Sequence, residues 1–148
     1  MDTLSLPMAS PDGDFLENRP FASISLGDGA SLVRQVTQRD IQLFAAVSGD
    51  VNPAHVDTLY AQSSYFHEII AHGMLGGSLI STVLGTQFPG PGTIYLGQTF
   101  KFLKPVHIGD TLTVSVKVIS LDAARHRLRL DTRCVNQNGD EVIEGEAD

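Results

Sequence analysis

The sequence is short of several things, and each shortage removes a class of protein. It holds one cysteine, Cys134. No disulfide can form within the chain, and a reducing, cytoplasmic compartment is expected. No apolar run is long enough to span a bilayer, and no basic segment followed by an apolar stretch marks a signal peptide. Basic residues are scarce: 10 Lys and Arg stand against 17 Asp and Glu, for a net charge of −7. That excludes sequence-independent binding to nucleic acid, which needs a basic face. Neither Gly-x-Gly-x-x-Gly nor Gly-x-x-x-x-Gly-Lys-Ser/Thr occurs, which argues against a Rossmann site or a P-loop. The Gly-x-Ser-x-Gly elbow of serine hydrolases is missing too. His55, Asp57, His67 and His72 can be drawn as a ligand set, but their spacing matches neither His-Glu-x-x-His nor a zinc finger, so no metal is expected.

What remains is one domain's worth of chain: 148 residues, 42% hydrophobic and 18% charged. Residues 1–20 carry Pro7, Pro11 and Pro20 and read as a leader without its own core; residues 21–148 read as the domain. Ser31 to Val36 alternates as a strand. Thr37, with Asp40 three residues on, forms a capping box for a short helix carrying Ile41, Phe44, Ala45 and Val47 on one face and stopping at Ser48-Gly49. A second helical piece is expected over 56–64. Gly73 to Phe88 contains no charge, so a helix buried on most sides, with no wet face, is expected there. Gly76 and Gly77 weaken it by roughly 1 kcal/mol each, and close approach of a neighbouring backbone is the expected reason. After Pro89-Gly90-Pro91-Gly92 the period changes from 3.6 to 2. Ile94–Phe102, Thr111–Val118 and Arg127–Cys134 alternate as strands, and Val142 and Ile143 begin another. This is an α+β pattern: a curved antiparallel sheet wrapped around one apolar helix, the hot-dog fold. Its remaining edge and outer face favour a homodimer or a dimer of dimers.

Asp50-Val51-Asn52-Pro53-Ala54-His55 places a carboxylate and an imidazole on either side of a turn. Such a pair can share one water molecule and move its proton. Asn52 can orient a carbonyl or a water, and Pro53 stiffens the loop. The same residues also serve as an ordinary Asx-turn. The helix opening at His72-Gly73-Met74 has no Ser, Thr, Asp or Asn to cap its N–H groups, and Gly73 lets a ligand approach closely. A carbonyl oxygen gaining charge suits those donors, and so does a water or a loop. Ser78 and Ser81 interrupt the apolar helix; a bond back to the preceding turn is the simpler role for each. Cys134 reads as core.

Ser48-Gly49-Asp50-Val51-Asn52-Pro53-Ala54-His55-Val56-Asp57, Phe66-His67-Glu68-Ile69-Ile70-Ala71-His72-Gly73-Met74, Gly92-Thr93-Ile94-Tyr95-Leu96-Gly97-Gln98 and Phe102-Leu103-Lys104-Pro105-Val106-His107-Ile108-Gly109-Asp110 together resemble the MaoC-like, (R)-specific enoyl-CoA hydratases from Phe21 onward. The resemblance implies a hot-dog dimer that hydrates trans-2-enoyl-CoA to (R)-3-hydroxyacyl-CoA without cofactor or metal. It implies Asp50 and His55 as the catalytic pair and Gly73 as the N–H donor to the thioester oxygen. Ser81 matches a supporting helix serine, and Leu84 a position lining the acyl pocket. The chain also looks like the hydratase domain fused to phosphate acyltransferases in some bacterial proteins, so a fragment of a longer polypeptide is an expectation. Lys101 and Lys104 are the candidate cations for the anionic CoA. Arg125, Arg127, Arg129 and Arg133 rank behind them, because the last three line a polar strand face. Two other readings compete. A hot-dog thioesterase usually needs a carboxylate near the central helix, and none lies between Gly73 and Phe88. A non-catalytic acyl-CoA-binding module has no use for an intact Asp50, His55 and Gly73.

Overall fold

The computed structural model describes residues 17–148. The part of the expected leader at 1–16 lies outside the described residues. The elements in chain order are β1 (Gly29–Gln35), α1 (Gln38–Ser48), α2 (Pro53–Val56), α3 (Thr58–Ser63), α4 (Gly73–Thr86), β2 (Lys101–Phe102), β3 (Thr111–Asp122), β4 (Arg127–Val135) and β5 (Glu141–Ala147). The strands form one antiparallel sheet in the order β1-β3-β4-β5-β2, and α4 packs on β3, β4 and β1.

Local sequence explains most element ends. Thr37 accepts from the Asp40 N–H while the Asp40 carboxylate accepts from the Thr37 N–H, so the capping box at α1 is complete. Gly49 ends α1 in the left-handed region at φ 76°. Ile41 and Ala45 face the core, but Val47, expected on that face, is 87% exposed. The second helical piece is split in two, because the Asp57 side chain accepts from the Tyr60 N–H and starts α3 afresh. In β3, Leu112, Val114, Val116 and Val118 all point inward; β4 contributes Leu130, Thr132 and Cys134. They meet Leu75, Ile80, Val83 and Leu84 of α4. Each such apolar side chain contributes about 1.5–3 kcal/mol by leaving water. Burial pushes the Cys134 thiol up to about 12, so it stays protonated and unreactive in the core.

Three expectations are corrected. The central helix does have an open face: Met74 is 52% exposed, and Ser78, Ser81 and Thr82 are exposed beside it. The sheet covers only the side carrying Leu75, Ile80 and Val83. Gly76 and Gly77 are not explained by an approaching backbone. A Cβ on Gly76 would lie 2.4 Å from Ile143 Cδ1, and one on Gly77 would lie 3.0 Å from Phe100 Cζ, so side chains of β5 and of the segment before β2 fill the gap. Finally, Ile94–Phe102 is a regular strand only at Lys101–Phe102. The remainder runs along one edge of β5, with Leu96 N–H donating to the Asp148 carbonyl at 2.8 Å and Thr99 N–H to the Glu146 carbonyl at 2.9 Å. Its expected inward set is largely outside: Ile94 is 78% and Leu96 54% exposed. No helix among the described residues is long and apolar enough to cross a membrane.

Candidate active site

The loop after α1 is built from a chain of local side-chain-to-backbone bonds, most of them spanning two positions. Ser48 Oγ donates to the Phe44 carbonyl at 2.6 Å and accepts from the Asp50 N–H at 3.2 Å. Asp50 Oδ1 accepts from the Asn52 N–H at 3.1 Å, and Asn52 Oδ1 accepts from the Ala54 N–H at 3.1 Å, capping α2. Pro53 occupies the first position of that helix, where a missing N–H matters least. The ordinary turn chemistry and the functional arrangement are therefore the same bonds. They present Asp50 from the loop and His55 from α2.

His55 Nδ1 lies 2.7 Å from the Ile70 carbonyl. A carbonyl only accepts, so Nδ1 carries the proton and Nε2 of the neutral ring holds the free lone pair. His72 is marked by spacing only as the opening of α4 and as a member of the drawn ligand set. It is 4% exposed, and its Nε2–H donates to the Asp50 carbonyl at 2.9 Å. Its ring stacks on His55 at 4.0 Å and tilts against Phe44 at 4.9 Å. Nothing in the local pattern signals this reach across 22 residues.

Asp50 and His55 line one cavity of about 780 Å³ with Gly73, Phe66, Phe102 and Ile143. Ligand atoms of Asp50, His55 and His72 all lie within 4.8 Å of one another. Two acceptors each ~2.8 Å from a water can be up to ~5.6 Å apart, so Asp50 and His55 can hold a single water between them. At the same cavity, α4 begins at Gly73 without a side-chain cap. The Gly73 N–H finds no backbone acceptor among the described residues. The positive end of a 14-residue helix therefore opens onto the space beside the acid–imidazole pair.

The same trio is the group among the described residues whose ligand atoms lie close enough together to hold a metal ion. His55 Nδ1 and His72 Nε2 are committed to carbonyls, and the rings are stacked with planes 29° apart. His72 Nδ1 is buried with no hydrogen-bond partner among the described residues. Asp57 caps α3, and His67 is exposed outside the cavity, so neither joins the trio.

Asn52, Ser81 and Leu84 do not line this cavity. Asn52 is spent on the α2 cap. Ser81 faces a neighbouring cavity on the open side of α4, which shares Phe44 and Met74 with the first. Leu84 is buried beside a third cavity, bordered by Tyr95, Leu96 and Ala147. Ser78 Oγ bonds back to the Leu75 carbonyl at 2.6 Å, the simple role expected. Of the candidate cations, only Lys104 lines the Asp50–His55 cavity. It pairs with Asp140 at 2.9 Å and holds that carboxyl below its ordinary range. Lys101 pairs with Glu144 at 3.2 Å, Arg125 with Asp122 at 2.9 Å, Arg129 with Asp148 at 2.8 Å, and Arg133 with Asp131 at 2.7 Å, all away from the cavity.

Known proteins resemble this chain over most of its length. Residues 28–138 match the family described as MaoC like domain. An (R)-specific enoyl-CoA hydratase of Rhodospirillum rubrum is 49% identical over 127 residues, covering 86% of this chain and 88% of that one. A 3-hydroxybutyryl-CoA dehydratase of Methylorubrum extorquens is 41% identical over 128 residues, covering 86% and 80%. The unliganded R-hydratase PhaJ1 of Pseudomonas aeruginosa superposes with a TM-score of 0.83 at 50% identity, covering 88% of this chain and 83% of that one.

Proposed function

Because the chain belongs to the MaoC-like domain family, we propose that it is a hydro-lyase that adds water to trans-2-enoyl-CoA to give (R)-3-hydroxyacyl-CoA, or removes it in reverse. The observation that carries this reading is the cavity in which the Asp50 carboxylate and a His55 ring nitrogen lie within 4.8 Å, close enough to share one water, beside the uncapped start of α4. In the proposed reaction the thioester oxygen accepts from the Gly73 N–H, which makes the β-carbon electrophilic. The pair takes a proton from water as its oxygen bonds to the β-carbon. The double-bond electrons move onto the thioester as an enolate, held by the helix terminus. A proton returned to the α-carbon completes the addition, so one water enters and no cofactor is consumed. Asn52 supports the loop, while Ser81 and Leu84 serve the acyl end further along α4.

The test is crotonyl-CoA with two readouts. Loss of enone absorbance without free thiol is expected. Thiol release would mean a thioesterase, and no change would mean a binding module.

CoA is anionic, and Lys104 is the cation placed at the cavity. Lys104→Ala should raise KM for crotonyl-CoA about 2- to 5-fold at low salt, the equivalent of ~0.5–1 kcal/mol for an exposed charge, with kcat unchanged. The difference should disappear in high salt. A KM unmoved at every salt concentration would remove Lys104 from substrate binding.

The uncharged open face of α4 and the exposed, apolar Ile94–Leu96 edge are adjacent, and a second copy of the chain is the proposed cover. Sedimentation should give twice the chain mass, and Leu96→Lys should shift it toward the monomer. A wild-type chain that sediments as a monomer at micromolar concentration would rule the homodimer out.

A further inference from the structure

A side chain outside the cavity is placed to act on it. The acceptor that sets the His55 ring is the Ile70 carbonyl, and Ile70 is itself held from two sides. Its N–H donates to the Ala54 carbonyl at 3.3 Å, and its backbone pairs antiparallel with His107, next to a 2.7 Å bond from the Ala71 N–H to the Val106 carbonyl. The His107 ring then faces a carboxylate at each nitrogen. Nε2 lies 3.4 Å from Glu68, two residues before Ile70, and Nδ1 lies 3.8 Å from Asp110. Asp110 is an anchor: it is 8% exposed and accepts from the His107 N–H at 2.9 Å and from Gln137 Nε2 at 2.9 Å. Its carbonyl takes the Val36 N–H at 2.8 Å.

We propose that His107 is a positioning residue for His55, clamping the Glu68–Ala71 segment onto the start of β3. The proposal rests on the reading of Asp50 and His55 as the hydrating pair. The His107 ring sits between two carboxylates that belong to the two segments it joins. Glu68 and Asp110 are the ionisable groups that face it, and the β4–β5 turn contributes the neutral Gln137. The imidazole joins the two segments, and the clamp is lost when the ring is replaced. Released, the Ile70 carbonyl drifts and takes the His55 ring with it. Small displacements of a catalytic group have large effects on rate.

The experiment is kcat and KM for crotonyl-CoA at about pH 7 in the wild type, His107→Phe, His107→Lys, Glu68→Gln and the double variant His107→Phe with Glu68→Gln, with folding checked by circular dichroism. His107→Phe should lower kcat about 3- to 10-fold with KM within 2-fold. His107→Lys, whose ammonium can pair with the same carboxylates, should keep most of the wild-type rate. Glu68→Gln should lose part of the rate and add nothing further in the His107→Phe background. Wild-type rates for His107→Phe would overturn the proposal, and so would a loss that multiplies with that of Glu68→Gln. If His107→Phe fails to fold, Glu68→Gln decides: an unchanged kcat would overturn the proposal. Absence of hydration by the wild type would instead overturn the functional reading.

Discussion

His55→Ala and Asp50→Asn are each expected to lower kcat for crotonyl-CoA hydration by about 10²- to 10⁴-fold, the range set by removing a general acid–base group. Asp50→Asn is the sharper change. The amide keeps an oxygen for the Asn52 N–H bond that shapes the loop, so the turn survives while the charge and the basic oxygen are lost. His55→Ala removes Nε2 and leaves the Ile70 carbonyl without its donor. A stopped assay following enone absorbance measures both. The double variant should be no slower than the worse single one, because a pair sharing one water acts as a unit. Independent, multiplying losses would mean that the two side chains serve different steps. Near-wild-type turnover in either folded single variant would sink the assignment.

Gly73→Pro should lower kcat by about 10²- to 10³-fold, as the loss of one oxyanion donor does. The backbone is suited to the change. Gly73 is the first residue of α4, the position where a helix tolerates proline. His72 has φ −57° and ψ 135°, the extended conformation that a residue before proline requires. The substitution thus removes the N–H and leaves the helix start otherwise intact. Gly73→Ala is its control for bulk. Its Cβ would lie 2.8 Å from Phe102 Cε1, a ring edge on a half-exposed side chain that can swing away. Alanine keeps the N–H and should lose only a few-fold in kcat, or nothing in a Phe102→Ala background. Equal losses for proline and alanine would show that crowding, and not the donor, matters at this position.

Particular elements show where reading the chain succeeds and where it stops. The capping box at Thr37 and Asp40, the inward face of β3 and the uncapped start of α4 were all legible, because each depends on residues within a few positions of one another. The Asp50–His55 loop was half legible. Its turn bonds are local, but its meeting with the Gly73 terminus is not. Alternation misread Ile94–Leu96, since period 2 states which residues share a side and says nothing about what covers that side. Absence of charge misled in the same way over α4: it marks a face that will not stay wet, without saying whether its own sheet or another molecule covers it.

The sequence by itself determined the capped α1, the uncapped start of α4, the inward residues of the central strands and the family to which the chain belongs. Tertiary structure alone decided that His72 reaches back to the Asp50 carbonyl, that the Ile70 carbonyl selects the His55 tautomer, that Lys104 is the cation at the cavity, and that Ser81 and Leu84 border neighbouring cavities. The physical reason is range. Caps, turns and periodicity follow from φ, ψ and the nearest few residues, whereas a hydrogen bond across 22 positions exists only once the whole path of the chain brings its ends together.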